Sequence, residues 1–199
     1  MKRILCRKQF KQRGATLVEV TTASLLSMLV FTAAISLFLF GMSTWYKGTS
    51  KIEASLDCQS AVRLICQELR EAMKVDAPTA SNTAVNYRMP KKNEDGDFEM
   101  DAQGRPIWDG ISRSIYLSDG KIYMVAGSAS RVLCSNVITT DPQSVGGATT
   151  YKIFNAGSGT IIRQMTVMLV TKKAGYKKEF GYSRSRESIY LRNIPELVR

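Results

Sequence analysis

The chain moves through four hydrophobic rhythms. From Ala15 to Met42 there are 28 residues with no Lys, Arg, Asp or Pro, and Glu19 is their only charge. As a helix this run measures roughly 42 Å at about 1.5 Å per residue, more than the roughly 30 Å of a hydrocarbon core. From Ile52 to Met73 the apolar positions become one-sided. At about 100° per residue, Cys58, Val62, Ile65, Cys66, Leu69 and Met73 share one face. Glu53, Ser60, Arg63, Gln67, Arg70, Glu71 and Lys74 take the other. The pattern predicts one helix from about residue 16 to 75, apolar all round in its first half and amphipathic in its second.

The third rhythm is polar. Residues 76–110 carry Pro78, Pro90 and Pro106 and are too long for a connection without a role or some short structure of its own. The fourth is alternating. In Ser114–Val125, SIYLSDGKIYMV, Asp119-Gly120 reads as a two-residue hairpin turn with positive φ at both positions. The register follows: Leu117 opposite Ile122 and Ile115 opposite Met124 on one side, Tyr116 opposite Tyr123 on the other. Further strands are predicted at Arg131–Val137, Tyr151–Asn155, Thr160–Thr171 and Ser188–Asn193, separated by turn-rich stretches. Strands in series without helical patterns between them imply an antiparallel sheet, hence an α+β fold with a long N-terminal helix.

Charge changes the picture at the N-terminus. The net charge is +11, but Lys2, Arg3, Arg7, Lys8, Lys11 and Arg13 lie in the first fourteen residues. Without them, 22 basic against 17 acidic residues leave +5. The basic balance is thus mostly a leader, which places the N-terminus in the cytoplasm and the bulk of the chain outside. A secretory signal peptide is the rival. Its core would be about 7–15 residues with a small-residue cleavage site, whereas this run is longer and residues 40–48 offer no such site. The chain has no histidine, which removes the commonest general base and metal ligand, and no Ser/His/Asp or Cys/His set can exist. An enzyme is not expected.

Gly14 followed by Ala-Thr-Leu-Val-Glu19, behind a basic leader and ahead of the apolar run, resembles the prepilin motif of type IV pilins and type II secretion pseudopilins. The resemblance implies cleavage between Gly14 and Ala15 by a membrane peptidase and N-methylation of Ala15. It also implies an assembly role for Glu19, which in that family pairs with the terminal amine of a neighbouring subunit. Ala15 departs from the usual Phe. The hairpin with its Asp-Gly turn, the strand at Ile162–Val170 and the ending Leu191-Arg192-Asn193 are similar to W-type minor pilins and J-type pseudopilins. The resemblance thus divides the chain into a cleaved leader (1–14), a transmembrane half-helix (15–45) and an extracytoplasmic pilin-like domain (46–199). It implies a structural subunit of a pilus or pseudopilus in the cytoplasmic membrane, with other pilins, the prepilin peptidase and an assembly platform as partners, and no cofactor. A DNA-binding minor pilin of an uptake system is the alternative.

Three further clusters invite chemistry. Cys6 lies in the leader. Cys58 and Cys66 are eight residues apart on one helix, about 12 Å, and cannot bridge, so a disulfide would join Cys134 to either Cys58 or Cys66, with three buried free thiols as the alternative. Asp95, Asp97, Glu99 and Asp101, beside Glu94, offer carboxylates to Ca²⁺, although the spacing is not that of an EF-hand and a solvated loop is the simpler expectation. Lys172, Lys173, Lys177 and Lys178, with Arg184 and Arg186, interleave with Tyr176, Phe180 and Tyr182. That composition suits single-stranded nucleic acid, but also a solvated hairpin whose charges block edge pairing, which is the preferred expectation.

Overall fold

The structure is a computed structural model and describes residues 16–140, 150–156, 162–175 and 180–191. Among the described residues one helix, α1 (Leu17–Glu71), precedes eight strands: β1 (Lys74–Val75), β2 (Ala84–Arg88), β3 (Arg113–Ser118), β4 (Lys121–Ala126), β5 (Ala129–Cys134), β6 (Phe154–Ala156), β7 (Gln164–Ala174) and β8 (Phe180–Tyr190). The chain divides into two units, Met1–Trp45 and Tyr46–Arg199.

In the first unit the helix is apolar on every side, and residues such as Leu25, Phe31, Leu37 and Phe40 are largely exposed. Among the described residues it is the one helix long and apolar enough to cross a membrane. Most of its hydroxyls bond back to the helix's own carbonyls. Thr22 donates to the Val18 carbonyl, Ser24 to Val20, Thr32 to Met28, Ser36 to Thr32 and Thr44 to Phe40, at 2.8–3.0 Å. These five side chains therefore keep their donors satisfied without water.

In the second unit the remainder of α1 buries Ser50, Ala54, Cys58, Ala61, Val62, Ile65, Cys66 and Leu69, the face expected from the sequence enlarged by its small residues. The helix stops at Glu71, earlier than expected, because Lys74–Val75 pair with Tyr87–Arg88 instead. Two antiparallel sheets form where one was expected: β1-β2-β3-β4-β5 and β6-β7-β8. They are joined at Asn136–Ile138, which bonds β7 through Ile138 N–H to the Val170 carbonyl and Lys172 N–H to the Asn136 carbonyl, both 2.9 Å. The β3–β4 register is the expected one, with Leu117 opposite Ile122, Ile115 opposite Met124 and Tyr116 opposite Tyr123. Asp119 and Gly120 both have positive φ, 47° and 68°. The expected strand at Ser188–Asn193 begins at Phe180 instead, since β8 pairs with β7 over eleven residues.

Of residues 76–110, expected as a loop, Ala84–Arg88 form β2 because they pair with β3, and residues 89–111 form a closed unit built on an eight-residue interval. Lys91 N–H bonds the Ile107 carbonyl (2.7 Å), Ile107 N–H the Glu99 carbonyl (2.9 Å), and Glu99 N–H the Lys91 carbonyl (3.0 Å). These three residues, each eight apart, close a triangle of backbone hydrogen bonds. At the corners Asn93 and Asp101 accept from the N–H groups of Asp97 and Arg105, both at 2.8 Å, and Gly96 and Gly104 take positive φ. Asp109 Oδ1 accepts from Ile111 N–H at the third position.

At Gly181 the small sheet lies against α1 with no room for a side chain. A Cβ there would lie 2.8 Å from Lys51 N and 2.9 Å from Ser50 C, against helix backbone that has no flexible end to give way. Gly181→Ala should therefore destabilise the domain by about 1–3 kcal/mol and lower Tm by several degrees. Gly48→Ala, with nothing within 4 Å of its added methyl, should hold or raise Tm through helix propensity. Thermal melts of the two variants check this, and equal Tm values would show that β8 does not lie against the helix there.

Candidate functional site

The residues that the resemblance singles out begin at the helix N-terminus. Gly14 and Ala15 lie outside the described residues. Glu19 lies in the first turn of α1, exposed, and its Oε2 accepts from Thr16 N–H at 3.2 Å. In return Glu19 N–H bonds Thr16 Oγ1, also at 3.2 Å. This reciprocal pair is a capping box, which satisfies two of the otherwise orphaned N–H groups at a helix start. A carboxylate here also meets the positive end of the helix dipole. The cap is legible as T-x-x-E just before an apolar run, and it is a role separate from the assembly role that the resemblance implies.

Glu99, Asp101 and Asp109 of the 89–111 unit are engaged in its own construction. Asp101 takes N–H bonds from Gln103 and Arg105 and an ion pair with the Arg105 guanidinium at 2.8 Å. The backbone bond from Arg105 leads the influences that hold its carboxyl below the usual range. Glu99 pairs with Lys91 at 2.7 Å. Among the described residues no three His, Cys, Asp or Glu side chains converge on a metal-sized point. The Ca²⁺ expectation for Asp95, Asp97, Glu99 and Asp101 therefore finds two of its four carboxylates committed to cations of the same unit.

The lysines expected together are separated by strand alternation. Lys173 turns to α1, where it pairs with Glu53 at 3.5 Å and Asp57 at 3.8 Å. Lys172 turns to the opposite face, its ammonium 4.1 Å from the centroid of the Phe180 ring. Lys177 and Lys178 lie outside the described residues.

Cys58, Cys66 and Cys134 are all free and buried, so neither bridge left open by the sequence is formed. The reason is local: Cys58 Sγ donates to the Leu169 carbonyl at 3.3 Å, and Cys134 Sγ turns to the Ser135 carbonyl at 3.5 Å. Burial raises all three thiols from an ordinary 9.0. Cys66 reaches about 12, with the Glu187 carboxylate adding to the effect, and Cys134 about 11. The thiolate is the reactive form, so these side chains are inert at neutral pH.

A thiol raised in the folded state keeps its proton after the unfolded chain has lost it. The stability these thiols contribute is full below about pH 9 and is lost as pH rises towards 11–12. With Cys6 replaced by Ser, the folded chain should resist an aromatic disulfide reagent at pH 8 and release three equivalents of thiol once unfolded in guanidinium. Prompt reaction of any thiol in the folded chain would contradict its burial. No protein-family model, no curated protein and no solved structure matches the chain, so a functional reading rests on these residues themselves.

Proposed function

We propose that this chain is a minor pilin or pseudopilin, a structural subunit of a type IV pilus or type II secretion pseudopilus. The observation that carries the reading is the position of Glu19. It is the only charge in the apolar run, it stands five residues after Gly14, and it lies exposed in the first turn of the helix. A carboxylate at that depth costs about 2–3 kcal/mol on insertion scales, less near the membrane edge. Two partners reduce that cost: the cap with Thr16, and the ammonium that cleavage before Ala15 would create on a neighbouring subunit. Low dielectric strengthens the second attraction. The α+β arrangement, with one long N-terminal helix ahead of antiparallel sheets, supports the same reading.

On this reading the basic leader stays in the cytoplasm and is removed by the prepilin peptidase, and the domain from residue 46 onwards faces outside. The N-terminal helix holds the subunit in the membrane and then in the filament, against other pilins. The protein acts by assembling and carries no active site.

The capping box makes the test specific. Gln serves in a capping box as Glu does, so Glu19→Gln keeps the cap and removes the charge. Thr16→Val keeps the charge and removes the cap, which is worth about 0.5–2 kcal/mol. Co-expressed with a prepilin peptidase and partner pilins, the parent should lose residues 1–14 by intact mass. Glu19→Gln should be processed and membrane-bound yet fail to crosslink with its partners, whereas Thr16→Val should crosslink. A mature chain starting beyond Trp45 would exclude the prepilin reading. Normal incorporation of Glu19→Gln would assign the residue to helix capping alone.

A further inference from the structure

The pairing of β7 with β8 sorts the C-terminal basic segment onto two faces. Odd-numbered residues of β8 face α1: Gly181 meets the helix backbone, Glu187 pairs with Arg70 at 3.3 Å, and Ile189 is buried. Even-numbered residues take the other face, where Phe180, Tyr182, Arg184, Arg186 and Tyr190 stand in one file. Across the ladder Lys172 joins them opposite Tyr182, and Thr166 opposite Ser188. Among the described residues of β6, β7 and β8, no Asp or Glu lies on this face. The acids that neutralise the neighbourhood, Glu53, Asp57 and Glu187, are all on the helix side.

We infer that this outer face of the three-stranded sheet binds single-stranded nucleic acid, with Arg184, Arg186 and Lys172 on phosphates and the rings of Tyr182 and Tyr190 under bases. The occupant follows from the chemistry. Three cations with no acid on their face suit a polyanion, and aromatic rings in the same file add stacking, which a merely anionic surface does not use. Arg184 and Arg186 are both exposed and sit about 6.6–6.8 Å apart along the strand, a separation that successive phosphates of an extended single strand also have. Tyr190 is 76% exposed, a large ring with most of its surface presented to solvent at the end of the file. Edge protection accounts for charge on an outer strand. It does not account for three aromatic residues on the same face. The inference is independent of the filament reading, since it concerns the domain's sheet alone.

The test uses the full chain in detergent micelles with fluorescent dT20, rU20, a duplex of the same length, and a heparin fragment of matched charge. The expected result is dT20 or rU20 binding that weakens steeply with salt, in proportion to the phosphates contacted. Arg184→Glu with Arg186→Glu should weaken it tenfold or more. Tyr190→Ala and Tyr182→Ala should each weaken single strands fivefold or more and leave heparin binding unchanged. All variants are compared at matched Tm, and Arg184→Lys with Arg186→Lys should retain most of the affinity. Three results would each overturn the inference: no dT20 or rU20 binding at low salt, no response to the double charge reversal, or heparin and duplex bound as well as single strands with no response to loss of the tyrosines.

Discussion

The second unit is organised by the contact between one face of α1 and the middle of β7. Two buried hydrogen bonds tie the elements directly. Thr171 Oγ1 donates to the Ala54 carbonyl at 2.8 Å, and Cys58 Sγ donates to the Leu169 carbonyl at 3.3 Å. Both bonds give a buried polar side chain a partner, without which each would cost the domain stability. Because Thr171 also bridges Val137, the strand that touches the helix is the strand that joins the two sheets. Small residues at Ser50 and Ala54 and the bare backbone of Gly181 let the elements approach, while Ile65 and Leu69 fill the core further along. The half-exposed ion pairs on either side, Arg70–Glu187 and Lys173–Glu53, add at most about 1 kcal/mol each.

Much of this was legible where the pattern is periodic. The helix face showed because Val62, Ile65 and Leu69 recur at helical spacing, and the β3–β4 register because an Asp-Gly turn fixes it. β2 was hidden because only Val85 and Tyr87 point inwards in a five-residue strand. The extent of β8 was hidden for another reason. Residues 180–186 are Gly, Ser, Arg and aromatic, and their strand state is imposed by β7 rather than by their own composition. The separation of Lys172 from Lys173 required only the period of two, once a strand was known to run through them. The triangular unit at 89–111 could have been found from Asn93, Asp101 and Asp109 at intervals of eight, but its bonds connect arms that no local propensity predicts.

Glu19 illustrates how one carboxylate answers two demands. Its bonds to Thr16 are intramolecular and satisfy the start of its own helix. The proposed bond to a neighbour's amine is intermolecular and depends on charge. A carboxylate has about four lone-pair sites, and the cap uses Oε2, so the two roles are sterically compatible. The requirement for an acid rather than any capping side chain then comes from the neighbour. In the same way, the C-terminal sheet divides its charges by function: the inner file steadies the helix, and the outer file faces solvent.

The unit at 89–111 enters and leaves the domain at one point. Asp109 N–H bonds the Met89 carbonyl at 3.3 Å, and just beyond this closure Tyr87 pairs with Arg113 in the β2–β3 ladder. A hairpin that would otherwise hold a long open loop thus carries a side-branch shut at its own base. Its length is quantised: a whole eight-residue arm is the unit of change, since adding or deleting one residue would shift every later donor away from its acceptor. The branch touches the domain beside its base, where Met89 packs against the core and Lys92 lies 3.7 Å from Glu71 on the end of α1. Because the closure is made by backbone groups, the far arms of 89–111 can change their side chains while β2 and β3 remain in register.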